Sequence, residues 1–176
     1  MEKEGFLLDI DYLTEKDDAG KEKAVIRLWC KSKEGERFIV LDKEFEPYFY
    51  AFPHSDPHAF AHADVAEKKR VIEQIRTYRE GEEIRVKRVE LCQKKLLGVT
   101  RQVLKIFTVH PRHVPLLREE VRKAGFTVLE ADILFAIRYM IDKQLRPFDG
   151  VKAEGEVITV DYATTALLAS TVLHKR

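Results

Sequence analysis

Only two cysteines, Cys30 and Cys92, occur in the 176 residues. That excludes a disulfide framework and a cysteine-based zinc centre, and it suits a reducing, cytoplasmic compartment. Charge of one sign is missing as well: 31 basic residues face 30 acidic ones, for a net charge of +1. No global field therefore draws the chain to nucleic acid or to a membrane, and any electrostatic site must be local. Long apolar runs are lacking. The uncharged stretch Tyr162–Leu173 is too short and too rich in Thr, Ser and Ala to span a bilayer, and the opening Met1–Gly5 has no basic segment followed by an apolar one, as a secretory signal requires. Gly-x-x-x-x-Gly-Lys, Gly-x-Gly-x-x-Gly and Gly-x-Ser-x-Gly are all absent, so phosphate-cradling loops and a serine nucleophile elbow have no home here. Neither cysteine has an identifiable base partner. By inventory the chain reads as a binding module. With eight Gly and six Pro against ten Phe and six Tyr, it also reads as folded and not disordered.

What is present reads as α+β: an antiparallel meander sheet with packed helices. Phe6, Leu8, Ile10 and Tyr12 alternate with Asp9 and Asp11, which predicts a half-buried strand with the apolar set inside. Ala24, Ile26, Leu28 and Cys30 repeat the pattern after the turn residues Asp17–Gly20, Phe38–Leu41 follows Gly35, and Pro47–Phe52 is a short aromatic strand. Four such segments predict a meander. A helix is expected through Val65, Ile72 and Ile75, with Gly81 as its stop. Ile84–Lys95 and Arg101–Val109 then read as a basic hairpin turning at Leu97-Gly98. Pro115 starts a second helix capped by Gly125, Phe126–Leu129 is a strand, and Asp132 caps a third helix that buries Ile133, Ala136, Ile137, Met140 and Ile141. Two lobes sharing the hairpin are expected. The domain reading is 1–149 as the compact region and 150–176 as a connector strand and tail.

His54, His58 and His62, spaced by four with Asp56 and Asp64 nearby, would line one face of a continuous helix and could hold zinc or nickel for a hydrolase. Pro57 interrupts that helix, so solvated imidazoles are the plain alternative. Asp9 and Asp11 form a carboxylate pair of the kind a two-metal nuclease uses, or simply a solvated strand face. Asp161-Tyr162-Ala163 lacks the second acid of an Asp-x-Glu pair. The remaining constellation is aromatic and basic: Tyr12, Pro47, Tyr48, Phe49, Tyr50, Phe52, the Arg101–Phe107 strand, and Phe135 with Arg138. Aromatic faces beside Arg and Lys on a sheet can hold unstacked bases of single-stranded nucleic acid, or they can be core. A scaffold module without base recognition is the other reading.

Six segments occur in a recognisable order: Leu8–Tyr12, Ala24–Leu28, Phe45–Ala51, Lys94–Gly98, His110-Pro111 with Val114-Pro115, and Asp132–Lys143. Together, from about Gly5 to Pro147, they resemble the N-terminal domain of archaeal family B DNA polymerases. The resemblance implies a fold that is partly RNA-recognition-motif-like and a chain that is an N-terminal fragment. The exonuclease and polymerase domains would be its partners, with Mg2+ expected only in those catalytic parts, and the fragment itself would be non-catalytic and need no cofactor. It also implies binding of single-stranded template DNA and capture of deaminated bases, uracil and hypoxanthine. Matched position by position, the base pocket would comprise Tyr12, Pro47, Tyr48, Val103, Ile133 and Phe135, with Arg138 steadying its wall and Lys94, Lys95 and Arg101 on the DNA backbone. Thr100 and Leu134 stand where the family has proline, so the pocket rim departs from the pattern.

Overall fold

The computed structural model describes residues 2–16, 20–53, 62–154 and 157–159, with the side chains of 62–64 left aside. The chain forms two compact units. The first gathers Met1–Thr14, Val25–Phe45 and Ala136–Arg176; the second gathers Glu15–Ala24 and Glu46–Phe135. The expected basic hairpin lies wholly in the second.

In the first unit, β1 (Glu2–Lys16), β2 (Glu22–Lys31) and β3 (Arg37–Asp42) build a sheet that is completed at its edges by β10 (Gly150–Glu154) and β11 (Val157–Thr159), in the order β10-β1-β2-β3-β11. Residues on both sides of the expected 149/150 boundary thus share one sheet: β10 pairs with β1 from Glu2↔Glu154 to Phe6↔Gly150, and β11 pairs with β3. Gly5 is required where β1 passes close to its neighbour, because a Cβ there would sit 2.5 Å from the Lys31 carbonyl oxygen. The buried side chains of β1 are on Leu7's parity, while Phe6, Leu8 and Tyr12 are each about two-fifths exposed. The alternation is present, but the expected inside and outside are exchanged: Leu7 is enclosed, in a sheet whose other strands bury Ile26, Leu28, Cys30 and Phe38. The helix α3 (Phe135–Lys143) shows the same exchange. It buries Phe135, Arg138 and Tyr139 and leaves Ile137 and Ile141 exposed, because its anchor is polar: Tyr139 Oη donates to Asp42 at 3.0 Å and its ring meets Phe45 edge-on at 4.9 Å.

The second unit holds a sheet of order β7-β8-β4-β9, formed by β4 (Tyr48–Pro53), β7 (Arg88–Leu96), β8 (Val99–Phe107) and β9 (Phe126–Leu129). The fourth strand of the expected meander therefore leaves the first three and pairs with β8 and β9. Behind this sheet pack α1 (His62–Glu73) and α2 (Val114–Lys123), which bring Ile72, Leu117 and Val121 onto Phe49, Ala51, Val89, Leu104 and Ile106. Complete burial of such side chains contributes on the order of 2 kcal/mol each. Pro115 falls in the first turn of α2 as expected. Gly81 is not a helix stop: α1 ends earlier, and Gly81, at φ +83°, turns a small hairpin of β5 (Arg76–Arg79) and β6 (Glu82–Arg85).

Candidate nucleic-acid interface

Register decides which side chains share a face, because directly opposed residues in an antiparallel pair project to the same side and successive residues alternate. Tyr48↔Phe107 and Tyr50↔Lys105 fix β4 against β8, and Arg88↔Phe107, Cys92↔Val103 and Lys94↔Arg101 fix β7. One face carries Phe49, Ala51, Leu104 and Ile106 toward the helices. The other carries Tyr48, Tyr50 and Phe52, then Arg101, Val103, Lys105 and Phe107, then Arg88 and Lys94. Phe49, counted in the sequence with the aromatic site, belongs to the core and is fully buried.

On that second face the cations lie over rings. Lys105 Nζ is 3.8 Å from the Tyr48 centroid and 5.0 Å from that of Phe107, the Arg88 guanidinium is 3.5 Å from Phe107, and Lys94 Nζ is 4.2 Å from Tyr50. The rings themselves adjoin, Tyr48–Tyr50 at 5.4 Å and Tyr48–Phe107 at 5.7 Å. Contacts of this kind hold each cation at about 0.5–2 kcal/mol. Three carboxylates set the cations' places: Glu130 pairs with Lys94 at 2.5 Å, Glu90 takes Arg88 Nε at 2.9 Å, and Glu46 takes both Lys87 and Arg88. Partial burial would raise the Glu46 carboxyl, but the hydrogen bonds from Lys87 and Arg88 outweigh it and hold the group below its usual range. Cys92, opposite Val103, is a protonated thiol, since burial raises it more than Lys105 and Lys94 lower it. Its thiolate fraction at neutral pH is correspondingly low.

The predicted residues divide between the units. Pro47, Tyr48, Val103, Ile133 and Phe135 lie in the second, Tyr12 and Arg138 in the first. Pro47 is buried and its carbonyl accepts the Thr108 N–H at 2.9 Å, which locks the entry to β4. Val103 is completely enclosed, Tyr48, Phe135 and Arg138 are buried, and Ile133 is half-buried. Of the rim positions, Leu134 is exposed and Thr100 pairs with Lys95. Lys94 and Arg101 stand opposite one another, but Lys95 and Thr100 have the other parity and so leave the aromatic face. Sequence reasoning left Arg88 outside the site and counted Lys105 only as part of the Arg101–Phe107 strand. For Arg88 the signal was available, because a two-residue turn at Leu97-Gly98 pairs it with Phe107, whereas Lys105 beside Tyr50 depends on the β4–β8 pairing.

Metal chemistry finds no support in the acidic pair of β1. Asp11 accepts Arg27 Nε at 2.8 Å and lies 3.4 Å from the Trp29 indole N–H, while Asp9 turns back to the Ile10 N–H. Among the described residues no three His, Cys, Asp or Glu side chains converge on a cation position. His54, His58 and Asp161-Tyr162-Ala163 lie outside the described residues, as does the side chain of His62. No described helix is long and apolar enough to cross a membrane.

An antiparallel four-stranded sheet, backed by two helices and presenting aromatics under cations on its other face, is of the RNA-recognition-motif-like kind. No family model matches the chain. It is 39% identical over 153 residues to a DNA polymerase of Archaeoglobus fulgidus, a match covering 87% of the chain and 17% of that protein. It is 40% identical over 146 residues to a DNA polymerase of Thermococcus kodakarensis, covering 82% of the chain and 8% of the relative. Among solved structures, the family B DNA polymerase of the hyperthermophilic archaeon Pyrobaculum calidifontis aligns with a TM-score of 0.62 at 27% identity, over 82% of this chain and 17% of the other. The chain is thus a relative of the archaeal family B DNA polymerases, matching their N-terminal region and spanning less than a fifth of these relatives' length.

Proposed function

We propose that the aromatic and basic face of the second unit binds single-stranded template DNA, and that the region around Val103 takes up a deaminated base, uracil or hypoxanthine, so that copying stalls. The observation that carries this reading is the row Tyr50, Tyr48 and Phe107 under Lys94, Lys105 and Arg88, on the same face as Val103. Rings stack bases without regard to sequence, and cations offset the phosphates. Selectivity comes from close packing. Uracil lacks the C5 methyl of thymine, and a wall of Val103 with Pro47 and Phe135 that has no spare volume rejects the methyl by overlap. Cytosine reverses the donor and acceptor order, leaving buried backbone groups near Tyr48 and Ile133 unpaired at about 1–3 kcal/mol each. Val103 is fully enclosed, so any base that reaches it displaces packed side chains. That cost falls on uracil and thymine alike, and the preference resides in the difference. Tyr12 and Arg138 keep their assignment from the residue match alone.

The activity of a complete polymerase, Mg2+ in its catalytic domains and a cytoplasmic setting belong to the same proposal, with this chain itself non-catalytic. Exonuclease and polymerase domains are the proposed partners of the first unit. Phe6 and Leu8 share one face of β1, and Ile137 and Ile141 one face of α3; all four are exposed, as apolar positions awaiting cover would be.

The test is fluorescence anisotropy with two single-stranded oligonucleotides that differ only in uracil or thymine at one position. Tighter binding of the uracil strand is expected, lost in Val103→Gln, whose longer polar side chain occupies the space the base would take. Equal affinities for the parent protein overturn the base-reading proposal.

A further inference from the structure

The second unit holds another concavity that shares no residue with the aromatic face. It encloses about 450 Å³ and is lined by Lys16, Glu22, Glu82, Arg85, Arg112 and His113 among others. Its charges do not cancel. Arg112 is occupied by two carboxylates, Glu22 at 2.5 Å and Glu82 at 3.4 Å, and Glu83 is taken by Arg76 at 3.5 Å. Lys16 and Arg85 have no hydrogen-bond or ion-pair partner among the described residues. Among the described residues, the lining side chains left without a partner are therefore cationic.

His113 adds a second, independent observation. The short 3-10 turn Pro111–His113 delivers it to the N-cap of α2, where its side chain makes no capping bond. The residue is only 6% exposed, yet neither Nδ1 nor Nε2 has a partner among the described residues. A buried imidazole normally satisfies its N–H, and leaving it unpaired costs about 1–3 kcal/mol. The ten-residue helix that starts beside it adds the positive end of its dipole, although Val114 N–H already donates to the Pro111 carbonyl and Pro115 has no N–H. Unpaired cations, an unpaired imidazole and a helix N-terminus all ask for the same thing, an anion with several acceptor oxygens.

We propose that Lys16, Arg85 and His113, at the start of α2, form a phosphate-binding site. Phosphate fits the donor set better than a carboxylate does, because its tetrahedral oxygens can meet a guanidinium, an ammonium and an imidazole from three directions. The volume leaves room for a group attached to the phosphate. The proposal does not depend on base recognition at Val103.

The test follows the imidazole nitrogens of the full chain by NMR during titration with inorganic phosphate, with ionic strength held constant by chloride. A saturable shift at His113 is expected, and Arg85→Ala and Lys16→Ala, both exposed positions, should each weaken it between about 3- and 10-fold while the amide spectrum stays folded. A shift reproduced by chloride alone, or variants that bind phosphate as the parent does, overturn the proposal. An abasic single-stranded oligonucleotide then separates the sources. If it displaces phosphate, the site takes nucleic-acid backbone; if it does not, the site takes a free phosphate compound. Either result supports the site. Arg85→Ala is expected to leave the preference for uracil over thymine unchanged, so failure here and failure of the base-reading proposal are read separately.

Discussion

Lys105 holds its Nζ 3.8 Å from the centre of the Tyr48 ring, reaching diagonally across the β4–β8 pairing in which its direct neighbour is Tyr50. The same ammonium is 5.0 Å from Phe107, so one cation spans two rings of the proposed stacking row. Replacing it should separate binding from folding. Lys105→Ala is expected to weaken binding of a single-stranded oligonucleotide and to flatten the dependence of log affinity on log salt by about 0.7, the contribution of one phosphate contact. Stability should fall by only about 1 kcal/mol. Anisotropy titrations at several salt concentrations check this, and an unchanged slope would remove Lys105 from the interface.

Leu97 and Gly98 turn the β7–β8 hairpin with φ of +48° and +83°. Both central positions of such a turn require the left-handed region, where asparagine and glycine are at ease and leucine is strained by about 1–2 kcal/mol. The Leu97 side chain is also wholly exposed, so it gains nothing from packing. Leu97→Asn should stabilise the protein by about 0.5–1 kcal/mol, seen as a rise of a few degrees in the melting temperature. A lower melting temperature would mean that this leucine makes a contact worth more than the strain.

Where local signals carried their own geometry, the sequence was legible. The Leu97-Gly98 turn, the Pro115 helix start and Gly125 at φ +89° after α2 all follow from backbone preferences. Alternation told which residues of β1 share a face, but not which face is inside. That depends on partners far along the chain, and Leu7 is enclosed where Phe6 and Leu8 are not. The third helix misled for the same reason, since its inner face is held by Arg138 and by the Tyr139–Asp42 bond. Strand β4 reads as the next step of a meander, yet it joins β8 and β9 instead of β3. Such long-range pairing leaves no local trace, and with it was hidden the register that sets Lys105 over the Tyr48 ring.

His110 makes stability depend on acid. Its Nδ1 accepts the Arg112 N–H at 3.2 Å, a role only the neutral ring can play. Burial, with the Arg112 charge and then His113 behind it, lowers its pKa from 6.5 to about 4. Between those values the unfolded chain binds a proton that the folded one refuses, so stability present above pH 6.5 is lost as pH falls toward 4. His113, lowered chiefly by burial, acts in the same direction. Urea denaturation should show a loss on the order of a few kcal/mol from pH 7 to pH 4. In His110→Asn, which keeps an acceptor for the Arg112 N–H and has no proton to take up, the loss should be smaller. Equal losses in the two proteins would assign the acid sensitivity to His113 and the carboxylates.

Tyr139 provides the opposite dependence at the alkaline end. Burial first, then the Asp42 charge and the 3.0 Å hydrogen bond to it, raise the phenol well above its usual 10. Above pH 10 the unfolded chain has given up its proton while the folded one keeps it, so the folded state binds more protons and stability falls as pH rises. Tyr139→Phe retains the ring against Phe45 but removes both the bond and the titration. It should cost about 1–2 kcal/mol at neutral pH, because Asp42 loses a donor at a partly buried position. The gap between parent and variant should then narrow between pH 9 and pH 11, as the parent alone pays this alkaline penalty. Denaturation curves at those pH values decide it: a constant gap would mean that the phenol ionises freely and that the Asp42 contact does not hold its proton.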